Sequence, residues 1–444
     1  MTKIAWNGGT GVRASRRGTG RLRRSRGRHV GTVGTAVLVA SAVLLSGCGG
    51  SADARPKTPV AVDDGARPAE QVKAAAKTAK ASKGDKKKSD STGGAKPAGP
   101  PSAERHFQRV DRITGALTPK SVVASGKGLV VAQNMIYTHT VSAFSSAGEL
   151  LATIDDRVTP SEFGYDRWDQ PVKGGPVEAA FSPDGSKLWV SNYSTYGPGF
   201  GKPGDDVCNP DMGLDNSFLY RIDTKSLEID DIVEVGAVPK YVHATPDGKY
   251  VLVTNWCSWD LSVVTAGDDP RVVATVDIGR YPRGIEVSPD SRIAYVAVMG
   301  GSDIAVVDLA RAVENGDGAA AVSWFRGVGH GPRHLNLSPD GQHLFVTLNK
   351  DGKVAKVDTS TGKVVGTVAT GNQPRSAVLS SDGTALFVVN YESDTVSRVR
   401  TSDLKVLESV PVDHHPIGIT YDASTSRIWV AAYVGSLTVF EDTP

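Results

Sequence analysis

Short apolar runs separated by turn residues recur in a fixed order through residues 106–444. In residues 279–308 (GRYPRGIEVSPDSRIAYVAVMGGSDIAVVD), a Pro-Arg step leads into a short strand, a Ser-Pro-Asp turn and a β-branched strand. A Gly-Ser turn and a final apolar run that ends in Asp follow. Pro presets φ at the second position of a type I turn, and Asp suits the third position. The pattern predicts a small antiparallel sheet joined by tight turns.

This module occurs seven times with its parts in register. Successive step prolines lie 57, 63, 43, 50, 42 and 42 residues apart, and a turn begins six residues after each. The prolines are Pro119, Pro176, Pro239, Pro282, Pro332, Pro374 and Pro416. One sheet with two apolar faces is unstable alone, whereas seven packed in a ring bury both faces. We predict an all-β fold over residues 106–444, a seven-bladed β-propeller of four-stranded antiparallel blades.

The two ends of this region are expected to complete one blade. Residues 106–113 (HFQRVDRI) read as a strand with no blade before it, and residues 436–441 (SLTVFE) read as a strand with no outer neighbour. Pairing the two closes the last blade with the amino-terminal strand and removes the last open sheet edges.

The second strand of several copies carries a recurring tetrapeptide. It is Trp-Val-Ser-Asn at residues 189–192, Leu-Val-Thr-Asn at 252–255 and Phe-Val-Val-Asn at 387–390, and it is weaker at 295–298 and 429–432. The repeat resembles the YVTN-repeat (YncE-like) β-propeller family over about residues 106 to 444. The resemblance implies the fold. It does not single out a function, because propellers of this kind serve as enzymes, binding modules and scaffolds.

Residues 1–47 have the pattern of an export signal. An arginine-rich segment without acidic residues precedes the apolar run of residues 33–45, and Leu-Ser-Gly-Cys follows at residues 45–48. An apolar run this short is typical of a signal peptide, not of a membrane span. The tetrapeptide resembles the bacterial lipobox, which implies cleavage before Cys48, diacylation of its sulfur and attachment to the outer leaflet of the cell membrane. The alternative is a signal peptide with an incidental cysteine.

Residues 48–105 differ from the propeller in composition and charge. They are rich in Lys, Ala, Pro, Gly and Ser, which predicts a disordered tether. Residues 1–105 hold 21 Lys and Arg against 7 Asp and Glu, so residues 106–444 hold 29 against 41 and carry a net charge of about −12. A domain this acidic argues against nucleic acid as a partner. We expect a monomer.

The residue after each step proline marks one face of the ring. We name the strands of a blade A to D in chain order; strand A runs away from the step and strand B returns. The B–C loops therefore share the face of the steps, which we call the upper face. Five of the seven successor residues are cations: Lys120, Lys240, Arg283, Arg333 and Arg375. Five like charges around one mouth attract an anion, and we expect Trp256 and Trp259 beside it. The alternative is that each cation pairs with an acidic residue or a carbonyl group of the next blade.

Two insertions, residues 155–175 and 194–215, also belong to the upper face. Their aromatic residues either cover a ligand or only pack the insertions down. Cys208 lies in the second insertion, and Cys257 lies in the B–C loop of the following blade. Adjacent blades, a shared face and an exported chain predict a Cys208–Cys257 disulfide. Two free thiols are the alternative.

Polar residues on the inner strands form a candidate metal site. His243, Glu286, His334 and Glu178 lie two or four residues after step prolines, and His and Glu near one axis bind zinc or another divalent ion. The set lacks short-range ligand spacing, and inner strands of propellers are often wet and polar. We therefore expect no cofactor, with one divalent ion as the alternative. The sequence has no recognisable catalytic motif.

Three classes of function remain. The first, which we favour, is a lipid-anchored binding or scaffold module whose upper face takes an anionic small molecule, a glycan or a protein. The second is a metal-dependent hydrolase or lyase, as in propeller lactonases. The third is a purely structural envelope protein. The cation ring favours the first class, because it offers a binding site for an anion. No nucleophile or firm set of metal ligands in the sequence indicates catalysis.

Membrane attachment through Cys48 is directly testable. Replacing Cys48→Ala should abolish labelling by a fatty-acid analogue and release the protein or leave it unprocessed, because the acylated sulfur is lost. Fractionation and acyl labelling measure both effects. Labelling that persists in the variant would show that Cys48 is not the modified residue.

Overall fold

A computed structural model of the protein describes residues 99–315 and 321–444. The signal segment, Cys48 and most of the predicted tether lie outside the described residues. The described residues belong to one compact unit. Within the described ranges, no helix is long and apolar enough to cross a membrane.

The described residues form seven four-stranded antiparallel sheets, arranged as the predicted propeller. Strand β1 is His106–Thr114. Blade 1 contains β2 (Ser121–Ala124), β3 (Leu129–Asn134), β4 (Thr140–Ser145) and β5 (Leu150–Asp155). A two-stranded sheet of β6 (Arg157–Val158) and β7 (Val172–Lys173) follows. Blade 2 contains β8 (Pro176–Phe181), β9 (Lys187–Asn192), β10 (Ser217–Asp223) and β11 (Glu228–Val235). Blade 3 contains β12 (Pro239–Ala244), β13 (Tyr250–Asn255), β14 (Asp260–Thr265) and β15 (Val272–Asp277).

The remaining blades follow the same order. Blade 4 contains β16 (Pro282–Val287), β17 (Ile293–Val298), β18 (Asp303–Asp308), helix α1 (Leu309–Asn315) and β19 (Val322–Phe325). Blade 5 contains β20 (Pro332–Leu337), β21 (His343–Leu348), β22 (Lys353–Asp358) and β23 (Val364–Ala369). Blade 6 contains β24 (Pro374–Leu379), β25 (Ala385–Asn390), β26 (Thr395–Arg400) and β27 (Val406–Pro411). Blade 7 contains β28 (Pro416–Asp422), β29 (Arg427–Ala432), β30 (Ser436–Thr443) and β1.

The hydrophobic core lies between successive blades. In β13 every residue except Tyr250 is buried, so both faces of this central strand are covered. One core cluster joins side chains of blade 3, such as Leu261 and Val276, to side chains of blade 4, such as Ile285 and Val296. Inner strands also approach closely: a Cβ on Gly284 would lie 2.8 Å from the carbonyl oxygen of Arg333. Burial of both faces is the main source of stability for blades of this kind.

The amino-terminal strand completes the last blade. Strand β1 pairs antiparallel with β30, from His106 opposite Thr443 to Thr114 opposite Ser436, with a bulge between Arg109 and Asp111. Phe107 packs its ring against Phe387 and Phe440, at centroid distances of 5.5 and 5.2 Å. Both predicted terminal strands are slightly longer in the structure than the sequence pattern indicated.

A buried ion pair holds the start of the described chain to this closure. The Arg398 guanidinium lies 2.6 Å from the Asp442 carboxylate, and both side chains have no exposed surface. Ser102 donates its hydroxyl to Asp442 over 2.6 Å, and its carbonyl oxygen accepts a hydrogen bond from Arg398. Its backbone N–H donates to Asp382, in the A–B turn of blade 6. The chain therefore joins the ring on the lower face, opposite the steps.

Three local features differ from the sequence prediction. Ser102–Glu104 is a short 3-10 turn, although the sequence pattern assigned it to the tether. The first insertion contains the two-stranded β6–β7 sheet and a 3-10 turn at Pro160–Phe163. Helix α1 occupies the C–D connection of blade 4, and no signal in the repeat indicated it. None of these features changes the ring.

The Arg398–Asp442 pair supplies a test of the closure. Replacing Asp442→Asn leaves the fully buried guanidinium with only the more distant, partly exposed Glu408 carboxylate at 3.9 Å, and we expect a loss of about 3 kcal/mol in the free energy of unfolding. Urea denaturation measures this change. The control Glu441→Gln removes a neighbouring, partly exposed carboxylate that pairs with Arg427 and should cost under about 1 kcal/mol. Equal losses in the two variants would contradict the proposed importance of the buried pair.

Candidate functional site

The five predicted cations line one cavity on the propeller axis. The cavity has a volume of about 270 Å³, and Lys120, Lys240, Arg283, Arg333 and Arg375 all contribute to its wall. In blades 3 to 6 the step proline pairs with strand B, and the register then shifts before pairing resumes. The cation occupies this bulge in each blade, and a bulge is a device that redirects a side chain. The sequence register therefore located the ring correctly.

Four of the five cations are buried, so water screens their charges poorly. Lys120, Lys240, Arg283 and Arg333 have exposed fractions between 4 % and 6 %. Burial lowers the pKa of Lys240 to about 8, partly offset by Asp206. Burial and the neighbouring Arg283 hold the pKa of Lys120 well below its ordinary value. Desolvation and repulsion between like charges both disfavour the charged forms in the absence of an anion.

Two carboxylates lie within ion-pair distance of the ring in the part of the chain that the structure describes. Oε1 of Glu178 lies 3.0 Å from Arg283 and 3.8 Å from Lys120. Asp206, from the second insertion, lies 3.2 Å from Lys240, and its side chain is 76 % exposed. Lys240 is the largest cause of the lowered pKa of Asp206. Five cations thus face two carboxylates.

Arg333 and Arg375 interact with neutral groups. Arg333 donates to the backbone carbonyl of Arg375 in the next blade. The Arg375 guanidinium lies 3.5 Å from the centroid of the Tyr391 ring and donates to Gln373 over 3.1 Å. Lys120 and Arg333 therefore fit the alternative stated above, in which each cation pairs with an acid or a carbonyl group of the next blade. Three buried nitrogens of the ring still have no hydrogen-bond partner: Nζ of Lys120, Nη1 of Arg283 and Nε of Arg375.

Above the cations lies a collar of large apolar side chains. Its members share one position, the first residue after strand B, and are Met135, Tyr193, Trp256, Met299 and Tyr433. The Nζ of Lys240 lies 4.3 Å from the Tyr193 ring centroid and 5.2 Å from that of Trp256. Sequence reasoning found Trp256 but missed Met135, Tyr193 and Met299. The sequence contained a signal for these three residues, because each directly follows the last residue of the repeated tetrapeptide or of the corresponding segment in its blade.

Trp259 does not line the cavity. Trp259 lies at the end of the B–C loop and has a left-handed backbone conformation (φ 63°). Tyr281 lies between the two tryptophans, stacked on Trp256 at 4.5 Å and edge-on to Trp259 at 6.3 Å. Of the two predicted tryptophans, the structure brings only Trp256 to the site.

The aromatic residues of the insertions mostly pack the insertions down. Phe163, Tyr165, Trp168 and Phe200 belong to one cluster around the buried Phe218. Trp168 stacks on Phe200 at a centroid distance of 4.6 Å. The four therefore pack against blade 2, and the second insertion reaches the cavity through Asp206.

The predicted disulfide is confirmed. Cys208 and Cys257 are bonded, with their Cα atoms 5.3 Å apart. The bond ties the second insertion to the residue directly after Trp256. The Trp256 indole donates to the backbone carbonyl of Asp206 over 3.0 Å. The crosslink therefore holds the Asp206 carboxylate over Lys240.

A second cavity of about 210 Å³ lies on the inner strands, and its wall includes Glu178, His243, Glu286 and His334. Burial raises the pKa of Glu286 to about 8 and lowers those of His243 to about 4 and of His334 to about 3. The Tyr241 hydroxyl lies 3.5 Å from Nε2 of His334. Although the cavity gathers the four predicted metal ligands, no group of three or more His, Cys, Asp or Glu among the described residues is arranged to hold a metal ion. The donor set does not fit a metal centre.

Comparisons with known proteins agree with the fold. A family model described as a lactonase with a seven-bladed β-propeller matches residues 199–366. The seven-bladed β-propeller protein Rv1057 of Mycobacterium tuberculosis is 35% identical over 102 residues, which cover 23% of this chain and 25% of that protein. The match thus spans about a quarter of that relative. These similarities support a seven-bladed propeller family.

Two solved structures share the fold at low sequence identity. Hydrazine synthase of Kuenenia stuttgartiensis aligns with a TM-score of 0.55 and 17% identity, covering 74% of this chain and 96% of that one. A chain of a mitotic checkpoint complex aligns with a TM-score of 0.58 and 13% identity, covering 80% and 99%. Both similarities concern the architecture alone.

The burial of Lys240 predicts a pH dependence of stability. Its pKa is about 8 in the folded protein and near the ordinary 10.5 in the unfolded chain, so the unfolded chain binds more protons between these values. Stability contributed by Lys240 therefore rises with pH from about 8 to 10.5. Compared with Lys240→Met, the wild type should gain free energy of unfolding across this window.

Urea denaturation at several pH values measures that difference. The control Lys249→Met changes an exposed lysine of the same blade and should give a difference that does not vary with pH. A constant difference for Lys240→Met as well would show that Lys240 is not held in a desolvating site.

Proposed function

We propose that this protein is a lipid-anchored, extracytoplasmic binding module whose upper face takes an anionic ligand. The ligand is a small molecule or an anionic group of a glycan or protein. The observation that carries the proposal is the convergence of five cations on one cavity against two carboxylates. A domain with a net charge of about −12 has no general reason to concentrate positive charge there.

The physical setting of the ring favours binding over simple repulsion. Electrostatic attraction is stronger in a water-poor cavity than in bulk water. Lys120, Arg283 and Arg375 each have a buried nitrogen without a hydrogen-bond partner, and an anionic oxygen would offset the desolvation cost of these nitrogens. Tyr193, Trp256 and Tyr433 offer aromatic faces on which a sugar or ring of the ligand would pack.

Arg333 and Arg375 differ in how far the protein itself engages them. It donates to a carbonyl of the next blade, so part of its role is to join blades 5 and 6. Arg375 has no carboxylate within ion-pair distance among the described residues and is only half-buried. We therefore assign Arg375 as the residue most available to a ligand.

Anchoring through Cys48 completes the proposal. The lipobox-like Leu-Ser-Gly-Cys supports attachment at the amino terminus, and the Lys- and Pro-rich composition of residues 48–105 supports a flexible spacer. The chain joins the propeller on the lower face, through Ser102 and Asp382. The cavity mouth is on the opposite face, where a soluble ligand has access.

Binding can be tested by isothermal titration calorimetry with citrate and with inorganic pyrophosphate. We expect Arg375→Gln to weaken binding of either probe by about tenfold, because one charge-assisted hydrogen bond is lost. The loss should be larger at low ionic strength, since salt screens the interaction.

The matched control is Arg167→Gln. Arg167 also stacks on an aromatic ring, 3.6 Å from the Trp168 centroid, but it lies outside the cavity, so it should leave binding unchanged. The proposal fails if neither probe binds the wild type. It also fails if Arg375→Gln lowers only the melting temperature, because the ring would then be structural.

Lactone hydrolysis is a second candidate, and the family-model match over residues 199–366 favours it. Water would add to the lactone carbonyl and the ring C–O bond would break, giving a hydroxy acid. Cations of the ring would stabilise the negative charge that develops on the carbonyl oxygen. Turnover of an aldonolactone above its spontaneous rate, measured by acid release, would identify this activity. Elemental analysis of the same sample would test the metal-dependent version.

A further inference from the structure

The charge inside the ring is not balanced by the protein itself. Lys120, Lys240, Arg283, Arg333 and Arg375 supply five positive charges, and Glu178 and Asp206 supply two negative charges. Three positive charges therefore remain when all five cations are protonated. Asp206 is largely exposed, so water weakens its contribution further.

The unpaired donors surround the cavity. Lys120 belongs to blade 1, Arg283 to blade 4 and Arg375 to blade 6, and each has a buried nitrogen without a hydrogen-bond partner. A single carboxylate offers two oxygens on one carbon. Donors on three separate blades are better satisfied by a ligand with anionic groups at two or more positions.

Glu178 occupies a position at which the other blades have no carboxylate. It is the second residue after its step proline, and the equivalent residues are Ser121, Tyr241, Gly284, His334, Ser376 and Gly418. The blade fold therefore does not require an acid at this place. Glu178 is 13 % exposed and contacts cations of two other blades, one of them Arg283 across the axis. It acts as an internal anion that occupies part of the ring.

Building on the proposed anion site, we infer that its ligand carries at least two negative charges and that Glu178 sets this number. Removing the Glu178 charge leaves one more cation for the ligand, so the preferred ligand charge increases by one. Adding a carboxylate at the same register of another blade reduces it by one. Ser376 is suited to this change because it lies in the equivalent position of blade 6, beside Arg375, and lines the same inner cavity as Glu178.

The experiment compares acetate, succinate and tricarballylate, which carry one, two and three carboxylates. Affinities are measured by calorimetry on the full chain at neutral pH and constant ionic strength. Wild type should bind succinate and tricarballylate at least about tenfold more tightly than acetate. Glu178→Gln should raise the preference for tricarballylate over succinate by about tenfold, and Ser376→Glu should lower it by a similar factor.

Ser376→Gln is the control for Ser376→Glu, because it adds a side chain of the same size without charge and should keep the wild-type order. The two charge changes act in opposite directions, so general damage to the ring cannot produce the expected result. If one variant does not fold, the other variant still tests the inference.

An unchanged order of preference in Glu178→Gln or Ser376→Glu would overturn the role of Glu178. Acetate binding as tightly as tricarballylate to the wild type would overturn the multivalent ligand while leaving the anion site in place. Failure of all three carboxylates to bind would overturn the anion site itself.

Discussion

Every blade of this protein must bury both of its faces against its neighbours, and the rest of the structure depends on that constraint. A lone sheet with a central strand such as Tyr250–Asn255, buried almost throughout, would expose two apolar surfaces to water. Packing in a closed ring removes both surfaces and leaves short outer edges. The same constraint fixes the register of the repeats, because a shift of one residue in any blade would exchange the side chains that its two buried faces present to the neighbouring blades.

Strict register has a chemical consequence. When seven inner strands converge on one axis, the same sequence position of each blade arrives at the same height. A residue type that recurs at one position therefore becomes a ring, and here the position after the step proline collects five cations. The position after strand B collects the apolar collar that includes Met135 and Trp256. A repeat protein can thus build a site from residues that are each unremarkable in the sequence.

Features that depend on the register of the repeats could be predicted from the sequence, whereas features that depend on individual loops could not. The propeller, the five cations and the Cys208–Cys257 bond follow from counting positions along the repeats. Trp259 was misplaced because its orientation depends on a left-handed residue at the end of a loop and on the intervening Tyr281. The contact of Glu178 with Arg283 joins blades 2 and 4 across the axis, and no sequence spacing reports distances across a ring. Helix α1 lies in a single connection that the repeat does not constrain.

The buried contact of Ser102, Arg398 and Asp442 also determines how the domain responds to mechanical load. A pull applied through the amino-terminal segment reaches Ser102 before it reaches strand β1, and Ser102 is bonded to blades 6 and 7. Force is therefore shared between two blades instead of peeling β1 from β30 one hydrogen bond at a time. The first bonds to break would be those of Ser102 to Asp382, Arg398 and Asp442, and strand β1 would be loaded only after they had failed. If the amino-terminal segment is anchored as proposed, these bonds of Ser102 protect the outer edge of blade 7 from tension.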